Sequence, residues 1–180
     1  MAKSVRRIVT GHDEAGKAVV IMDGPAPNQR VRGATGLTST LLWVTEESPA
    51  DVSFSADRAD RESPVAPPAK GSILRVVDFP PAGDTGGVSH DAVLKEMGLH
   101  HEGAKPLRHP FMHRTRSIDY AICLEGEIDM LLDDSEVTMR AGDIMVQQAT
   151  YHAWVNNSKS NCRICFVLID GDEPPAWKKG

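Results

Sequence analysis

The stretch that decides the fold lies in the C-terminal half, where residues 113–156 read HRTRSIDYAICLEGEIDMLLDDSEVTMRAGDIMVQQATYHAWVN. Short apolar runs alternate here with turn signals, which are Glu125-Gly126, Asp133-Asp134 and Ala141-Gly142. The pattern predicts strands at about 118–124, 127–132, 136–140, 143–148 and 151–156. A further apolar run beyond the quoted stretch predicts a strand at 162–169. Strands this close together leave no room for crossover helices, so we expect antiparallel pairing in a barrel or sandwich.

The rest of the chain is also rich in strand signals. Runs of Val, Ile and Leu predict four further strands, at 5–10, 17–22, 38–45 and 72–79. The one helical candidate covers 89–97, where Ser89 is a typical N-terminal cap and Gly98 a typical C-terminal end. The pattern therefore predicts an all-β protein with one short helix.

Composition changes along the chain suggest how it is organised. Residues 46–70 are dominated by Ser, Pro, Ala, Asp and Arg, which is typical of a mobile loop. We predict that residues 1–80 form an N-terminal β extension packed on a barrel. The barrel is assigned to residues 81–170, and a proline-broken C-terminal arm follows at 171–180.

Charge and hydropathy exclude several classes of partner. The net charge of -5 and the scattered basic residues give no reason to expect nucleic acid. No apolar run reaches the roughly 18 residues that a membrane span needs, and the start lacks the apolar stretch of a secretory signal. We therefore expect no membrane association and a cytoplasmic location. The 3 cysteines, an odd count, suit reduced thiols better than a disulfide framework.

Two stretches of the β-rich half resemble the paired motifs of the cupin superfamily. The first family motif runs Gly, five residues, His-x-His, three or four residues, Glu, six residues, Gly. In this chain it corresponds to His113-Arg-Thr115, three residues, Asp119, six residues, Gly126. Thr115 replaces the second histidine of the motif, Asp119 replaces its glutamate, and Leu107 stands where its leading glycine is expected.

The second family motif runs Gly, five residues, Pro-x-Gly, two residues, His, three residues, Asn. Here Gly142 is followed by His152 and, after three residues, by Asn156. The motif proline is missing and the interval before His152 is one residue shorter. The resemblance covers residues 107–169 and implies a double-stranded β-helix, the cupin jelly roll. In such cupins N-terminal extensions often add a strand to a second subunit, which implies a homodimer.

Side chains two residues apart on a strand share one face. Asp119, Ala121 and Cys123 therefore lie on one face of their strand, and this face is small, as an enclosed cavity requires. The opposite face is bulky and apolar, as packing against a sheet or a partner requires. It carries Ile118, Tyr120, Ile122 and Leu124.

The matched motif positions combine two imidazoles and one carboxylate, from His113, His152 and Asp119. This is the ligand set of a facial triad, which suits Fe(II) and also admits Zn(II), Mn(II) or Ni(II). A metal with an open position can polarise a substrate oxygen or bind dioxygen. His109 is an alternative third imidazole. Equally open is a metal-free pocket in which the buried His and Asp hydrogen-bond one another.

Secondary site candidates lie around the second motif. Gln147, Tyr151, Trp154 and Asn156 are predicted to contact substrate, with outer packing as the alternative for Gln147 and Trp154. Cys162 and Cys165 are read as small apolar residues rather than half of a zinc site.

Two hypotheses of function follow. The first is a metal-dependent cupin enzyme acting on a small organic molecule, with dioxygenase, isomerase and decarboxylase chemistry all open and no catalytic residue assigned. The second is a non-catalytic, metal-free small-molecule-binding or sensory cupin, motivated by Thr115 in place of histidine. The sequence does not choose the substrate.

Overall fold

The computed structural model describes residues 3–33, 35–53, 56–62, 64–83, 88–100, 108–175 and 177. Within them it contains the following strands and helix: β1 (Arg6–His12), β2 (Ala18–Pro25), β3 (Gln29–Val31), β4 (Thr38–Thr45), β5 (Ser72–Phe79), α1 (His90–Met97), β6 (Ser117–Glu125), β7 (Glu127–Leu131), β8 (Glu136–Arg140), β9 (Ile144–Gln148), β10 (Ala153–Val155) and β11 (Cys162–Asp170). The prediction of an all-β fold with one short helix is confirmed. The helix begins after Ser89, whose hydroxyl accepts from the backbone N–H of Ala92, and ends at Gly98 in the left-handed conformation.

The described strands form three antiparallel sheets. The largest has the order β3-β4-β5-β11-β6-β9, a second has the order β10-β7-β8, and β1 and β2 form a separate hairpin. The core lies between the two larger sheets, as expected of a jelly roll. Each Ile or Phe side chain buried there, such as Ile73, Ile164 and Phe79, contributes about 1.5–3 kcal/mol by leaving water.

The large sheet runs across the predicted boundary at residue 80. β5 pairs with β11 along its whole length, from Ser72 opposite Ile169 to Phe79 opposite Cys162. β4 pairs in turn with β5. These N-terminal strands therefore extend the main sheet, whereas the β1–β2 hairpin covers part of its outer face through Val5 and Ala26.

The segment predicted as a mobile loop, residues 46–70, contains no strand or helix among its described residues. It is nevertheless attached to the fold. Ala59 is fully buried in the main core, and Asp57 forms an ion pair with Arg7 of β1.

β6 shows the predicted division of its two faces. Ser117, Asp119, Ala121 and Cys123 are buried, while Tyr120 and Leu124 are exposed. The alternation places the one carboxyl group of this strand's inner face in the interior, where it lines the site described below.

Two glycines close the turns that precede β7 and β9. Gly126 has a φ of 78°, and a Cβ added there would lie 2.6 Å from the carbonyl oxygen of Asn161. Gly142 has a φ of 97° with open space around it. Both turns were predicted from the sequence. Among the described residues no helix is long and apolar enough to span a bilayer.

Candidate functional site

A cavity of about 90 Å³ lies between the two larger sheets, beside α1. This is several times the roughly 10–15 Å³ that one water molecule needs. Most of its lining surface is apolar, although several polar and charged side chains reach it. Its described lining consists of Arg32, Thr35, Leu37, Ser39, Val65, Arg75, Val77, Phe79, Glu96, Met97, Phe111, His113, Thr115, Asp119, His152, Trp154, Phe166 and Leu168.

His113 and His152 form a pair on the cavity wall. Their backbones are joined as an isolated antiparallel bridge, with His113 N–H donating to the His152 carbonyl at 2.8 Å and the reverse bond at 2.9 Å. The bridge brings the two rings together, with centroids 4.4 Å apart. The structure thus confirms that the two motif histidines meet, although 39 positions separate them in the sequence (152 − 113).

Both imidazoles are oriented in the same way by the backbone. Nδ1 of His113 lies 2.9 Å from the carbonyl oxygen of Phe111, and Nδ1 of His152 lies 3.0 Å from that of Thr150. A carbonyl can only accept, so each Nδ1 carries the proton, which leaves Nε2 as the basic nitrogen of a neutral ring. Burial, reinforced by the neighbouring His113, holds the pKa of His152 well below its ordinary range. His152 is therefore neutral at physiological pH.

A chain of hydrogen bonds leads along the inner face of β6 to Asp119. The hydroxyls of Thr115 and Ser117 lie 2.8 Å apart, and Ser117 donates to Oδ1 of Asp119 at 2.6 Å. Gln147 of the neighbouring β9 donates to Oδ2 at 3.3 Å. All four side chains are buried. The carboxyl group is therefore held in one orientation by two donors.

Asp119 remains difficult to ionise despite these donors. Burial raises its pKa from the ordinary value of 3.8 to about 6, and the bond from Ser117 and the charge of Arg75 offset only part of that rise. A carboxyl group with a pKa near 6 exists in both protonation states close to neutral pH. Such a group is suited to general acid–base chemistry.

Two guanidinium groups reach the same cavity. Arg75 of β5 is 5% exposed, and its Nη2 donates to the carbonyl oxygen of Pro64 at 2.7 Å. Burial and the nearby Arg32 lower the pKa of Arg75 to about 10, so it stays charged at neutral pH. Arg32 donates to the carbonyl oxygen of Glu96 on α1 at 2.9 Å.

Aromatic rings form the apolar wall of the cavity. Trp154 packs edge-on against Phe166 with centroids 5.6 Å apart, and Phe79 lies 6.4 Å from each of them. Interlocked rings of this kind are rigid and present a flat apolar surface. The predicted position of Trp154 at the pocket agrees with the structure.

The predicted three-ligand metal set is only partly assembled. Among the described residues no group of three His, Cys, Asp or Glu side chains lies close enough together to hold a metal ion. His113 and His152 do have the chemistry of ligands, because a carbonyl on each Nδ1 orients Nε2 as in many metal sites. Asp119 instead accepts from Ser117 and Gln147. The described residues therefore fit two of the three predicted ligands.

The other predicted site residues lie outside the described lining. Gln147 holds Asp119 rather than facing the cavity. Asn156 is a structural residue, because its amide donates to the carbonyls of Phe79 and Ser160 at 2.8 Å. Tyr151 packs against a separate apolar cluster around Met112. None of these three belongs to the described lining of the cavity, and their contact with substrate stays a prediction.

The remaining candidates also have structural surroundings. His109 accepts at Nδ1 from the backbone N–H of Phe111 and stacks edge-on against that ring, and it is absent from the described lining. The three cysteines are free, with Cys123 and Cys162 buried and their sulfurs 3.9 Å apart. Burial raises the pKa of both thiols, which suits the predicted role of small apolar residues. Leu107 of the first motif lies outside the described residues.

Sequence reasoning missed the residues that reach the cavity from the first half of the chain. Arg75 occupies an inward position of β5, and Arg32 precedes β4. The signal for Arg75 was present in the stretch Ile73, Arg75, Val77, Phe79, where a single charge interrupts an apolar row of alternate residues. Thr115 was noted only as a missing histidine, whereas its hydroxyl begins the chain of bonds to Asp119.

Comparisons with known proteins agree with this architecture. A family model described as "Cupin domain" matches residues 96–169. The Cupin-domain-containing oxidoreductase srdD of Neurospora crassa is 30% identical over 177 residues, which is 95% of this chain and 78% of the relative. The Cupin-domain-containing oxidoreductase fogC of Aspergillus ruber is 31% identical over 172 residues, 92% of this chain and 72% of the relative.

Among solved structures, a Cupin 2 conserved barrel domain protein from Salinispora arenicola matches with a TM-score of 0.43 and 12% identity, covering 79% of this chain and 82% of the other. The sequence identity of 30% to srdD, over 78% of the length of that relative, shows the family of this chain. This protein belongs to the cupin family.

Proposed function

We propose that this cupin is an enzyme that binds a small organic molecule in the cavity between its sheets and transforms it there. The observation that carries the proposal is the grouping of a neutral His152, its partner His113 and the titratable Asp119 around a mainly apolar cavity. Two relatives are named oxidoreductases, and the match covers more than two thirds of the length of each relative. Their names support an enzymatic role for this chain.

The chain's own residues supply three elements of catalysis. Phe79, Trp154 and Phe166 bind an apolar body and exclude water from it. Asp119 takes up or releases a proton at its carboxyl oxygens, held in place by Ser117. His152 offers a neutral Nε2 that accepts a proton or a hydrogen bond from the substrate.

A divalent metal at the histidine pair is part of the same proposal. His113 and His152 would hold it through Nε2, and water or substrate would fill the remaining positions. Such an ion would supply Lewis-acid or redox chemistry. Elemental mass spectrometry on untagged protein tests this, with His152→Ala as the variant and His12→Ala, an exposed histidine of β1, as the control. One metal per chain in wild type and control but not in His152→Ala supports the site, and no metal in any of them removes the ion from the proposal.

The catalytic role is tested by incubating the protein with a metabolite extract of the cells that express it. We expect wild type to consume at least one component and to form a new one. Asp119→Ala should lose this conversion, and Gln148→Ala, an exposed residue of the adjacent β9, should keep it. A cavity-filling variant, Leu168→Trp, should prevent binding as well.

A metal-free binding protein is the second candidate, favoured by the lack of a three-ligand group among the described residues. In that case the wild-type protein would retain components of the metabolite extract without converting them, and Leu168→Trp would retain none. If wild type neither retains nor converts anything beyond Leu168→Trp, the cavity is not a functional site and both candidates fall.

Location and assembly are proposed for the whole chain. The free state of all three cysteines supports a reducing compartment such as the cytoplasm. An exposed apolar face on β6 and β9 supports a homodimer. Fractionation of the source cells would test the location.

A further inference from the structure

One end of the cavity is cationic, and its position in the sheet is unusual. Arg75 lies on β5 in a row of inward side chains that is otherwise apolar, with Ile73 before it and Val77 and Phe79 after it. Moving a guanidinium from water into such a place costs several kcal/mol unless it is compensated. A leucine would fill the position without that cost. Arg75 donates to the carbonyl oxygen of Pro64 and lies near Asp119, and its side chain also lines the cavity.

A second guanidinium shares the cavity wall. Arg32 lies close enough to Arg75 for their charges to oppose one another. Both also line a smaller adjoining void of about 20 Å³, together with Ser39 and with Arg30, whose guanidinium pairs with Glu62. Among the described residues Arg32 forms no ion pair with a carboxylate, and its contact is with the backbone carbonyl of Glu96. Two like charges held around one void favour an anion between them.

The acidic groups at the cavity do not remove this preference. Asp119 faces Arg75 from β6, but its two carboxyl oxygens already accept hydrogen bonds from Ser117 and Gln147. Glu96 reaches the cavity from α1, at the end where Arg32 binds its backbone.

We infer that the cavity takes an organic carboxylate, with the carboxylate group between Arg75 and Arg32 and an apolar body against Phe79, Trp154 and Phe166. The inference rests on the proposed function and names its substrate class. A guanidinium matches the two oxygens of a carboxylate. A phosphate would bring more charge than a mainly apolar cavity of about 90 Å³ accommodates. The carboxylate end fixes the orientation, and it turns the rest of the molecule toward the histidine pair.

Isothermal titration calorimetry with matched acids and amides tests this class. The probes are phenylacetate, 3-phenylpropionate and 4-phenylbutyrate, each compared with its neutral primary amide at pH 7. We expect wild type to bind at least one acid about 10-fold or more tightly than its amide, because a hydrogen-bonded charge pair adds roughly 1.5–3 kcal/mol. Leu168→Trp should abolish binding, which places the probe in the cavity.

Three arginine variants test whether the preference for the acid comes from the arginines at the cavity or from the overall charge of the protein. Arg75→Met should remove the preference for the acid, Arg32→Gln should reduce it, and Arg6→Gln should leave it unchanged. Arg6 is the control because it lines neither void, is exposed on β1 and pairs with Asp23 at the surface. If Arg75→Met does not fold, Arg32→Gln and the acid–amide comparison on wild type still decide the question.

The outcomes distinguish the inference from the function on which it rests. Equal binding of acid and amide, both blocked by Leu168→Trp, overturns the carboxylate class and leaves the cavity as a small-molecule site. A preference for the acid that survives Leu168→Trp places the anion elsewhere and also overturns the inference. No binding of any acid up to about 10 mM overturns it as well, while the extract experiment still tests the function independently.

Discussion

Asp119 shows how opposing local effects set the behaviour of one side chain. Hydrogen bonds from Ser117 and Gln147 and the charge of Arg75 favour its ionised form. Burial opposes them and has the larger effect, so the pKa of Asp119 lies near 6 instead of 3.8. Folding therefore holds the proton on this group over a range of pH in which the unfolded chain releases it.

The first prediction concerns the pH dependence of stability at Asp119. Between about pH 3.8 and pH 6 the folded state binds the proton and the unfolded state does not, so this group lowers the free energy of unfolding as pH rises. Asp119→Asn removes that loss. Relative to wild type, the variant should gain up to about 3 kcal/mol on going from pH 4 to pH 7, at about 1.4 kcal/mol per unit of pKa. Urea denaturation at several pH values measures it.

An exposed aspartate whose pKa is shifted in the opposite direction serves as a control. Asp23 is exposed and its pKa is lowered by its hydrogen bond with Arg6, so it contributes stability that is lost as pH falls. Any change in Asp23→Asn should therefore run the other way and be small, because exposed pairs are screened. A pH profile of Asp119→Asn that runs parallel to wild type would contradict the raised pKa.

The individual site residues differ in how far sequence could predict them. His113 and His152 were predicted from the resemblance to the cupin motifs, and Trp154 from sharing a strand face with His152. Arg75 belongs to no motif, and its role depends on which strands flank β5. Asn156 matched a motif position, yet its contacts are with backbone carbonyls, which spacing does not reveal.

The turns between strands depend on two glycines whose requirements differ. At Gly126 both the positive φ and the carbonyl of Asn161 exclude a side chain, whereas at Gly142 only the φ does. We predict that Gly126→Ala destabilises the protein clearly more than Gly142→Ala. Gly142→Ala should lose about 1 kcal/mol through backbone strain, and Gly126→Ala should lose at least about 1 kcal/mol more because the backbone must move.

Thermal or urea denaturation of the two variants side by side measures the difference. Because both substitutions add one methyl group at a turn of positive φ, the comparison isolates the close contact with Asn161. Equal losses would mean that the chain around Asn161 moves aside at no cost.

Regular elements were predictable because their signals are local. The boundaries of β4, β5 and β8 coincide with the predicted ranges, since β4 and β5 are largely apolar runs and β8 lies between two turns. β3 was not predicted, because its three residues are all exposed and have no apolar alternation. It exists because its backbone pairs with β4, which is a property of the sheet and not of the segment.

At the scale of the whole molecule, an exposed apolar area lies at the edge of the main sheet. It consists of four exposed side chains on β6 and β9: Tyr120, Leu124, Ile144 and Val146. β9 is the terminal strand of that sheet, so its outer backbone groups have no partner strand among the described residues. An apolar edge of this kind favours association with a second copy.

We predict that the protein is a homodimer joined at this face. Light scattering after size-exclusion chromatography should give twice the 19.5 kDa of the chain. Ile144→Lys should shift the mass to that of a monomer. Val31→Lys, an equally exposed valine at the opposite edge of the sheet, should not. A wild-type mass of one chain at micromolar concentration would exclude the dimer.

The position of β11 has a consequence for how the protein is made. β11 is the last described strand, and it lies in the middle of the six-stranded sheet between β5 and β6. While the chain emerges from the ribosome, β4 and β5 must wait for residues 162–170 before the main sheet can be joined. Long-range pairing of this kind is slow, and it leaves apolar strand edges open during synthesis. We therefore expect the first half of the nascent chain to keep strand edges unpaired until residues 162–170 have been synthesised.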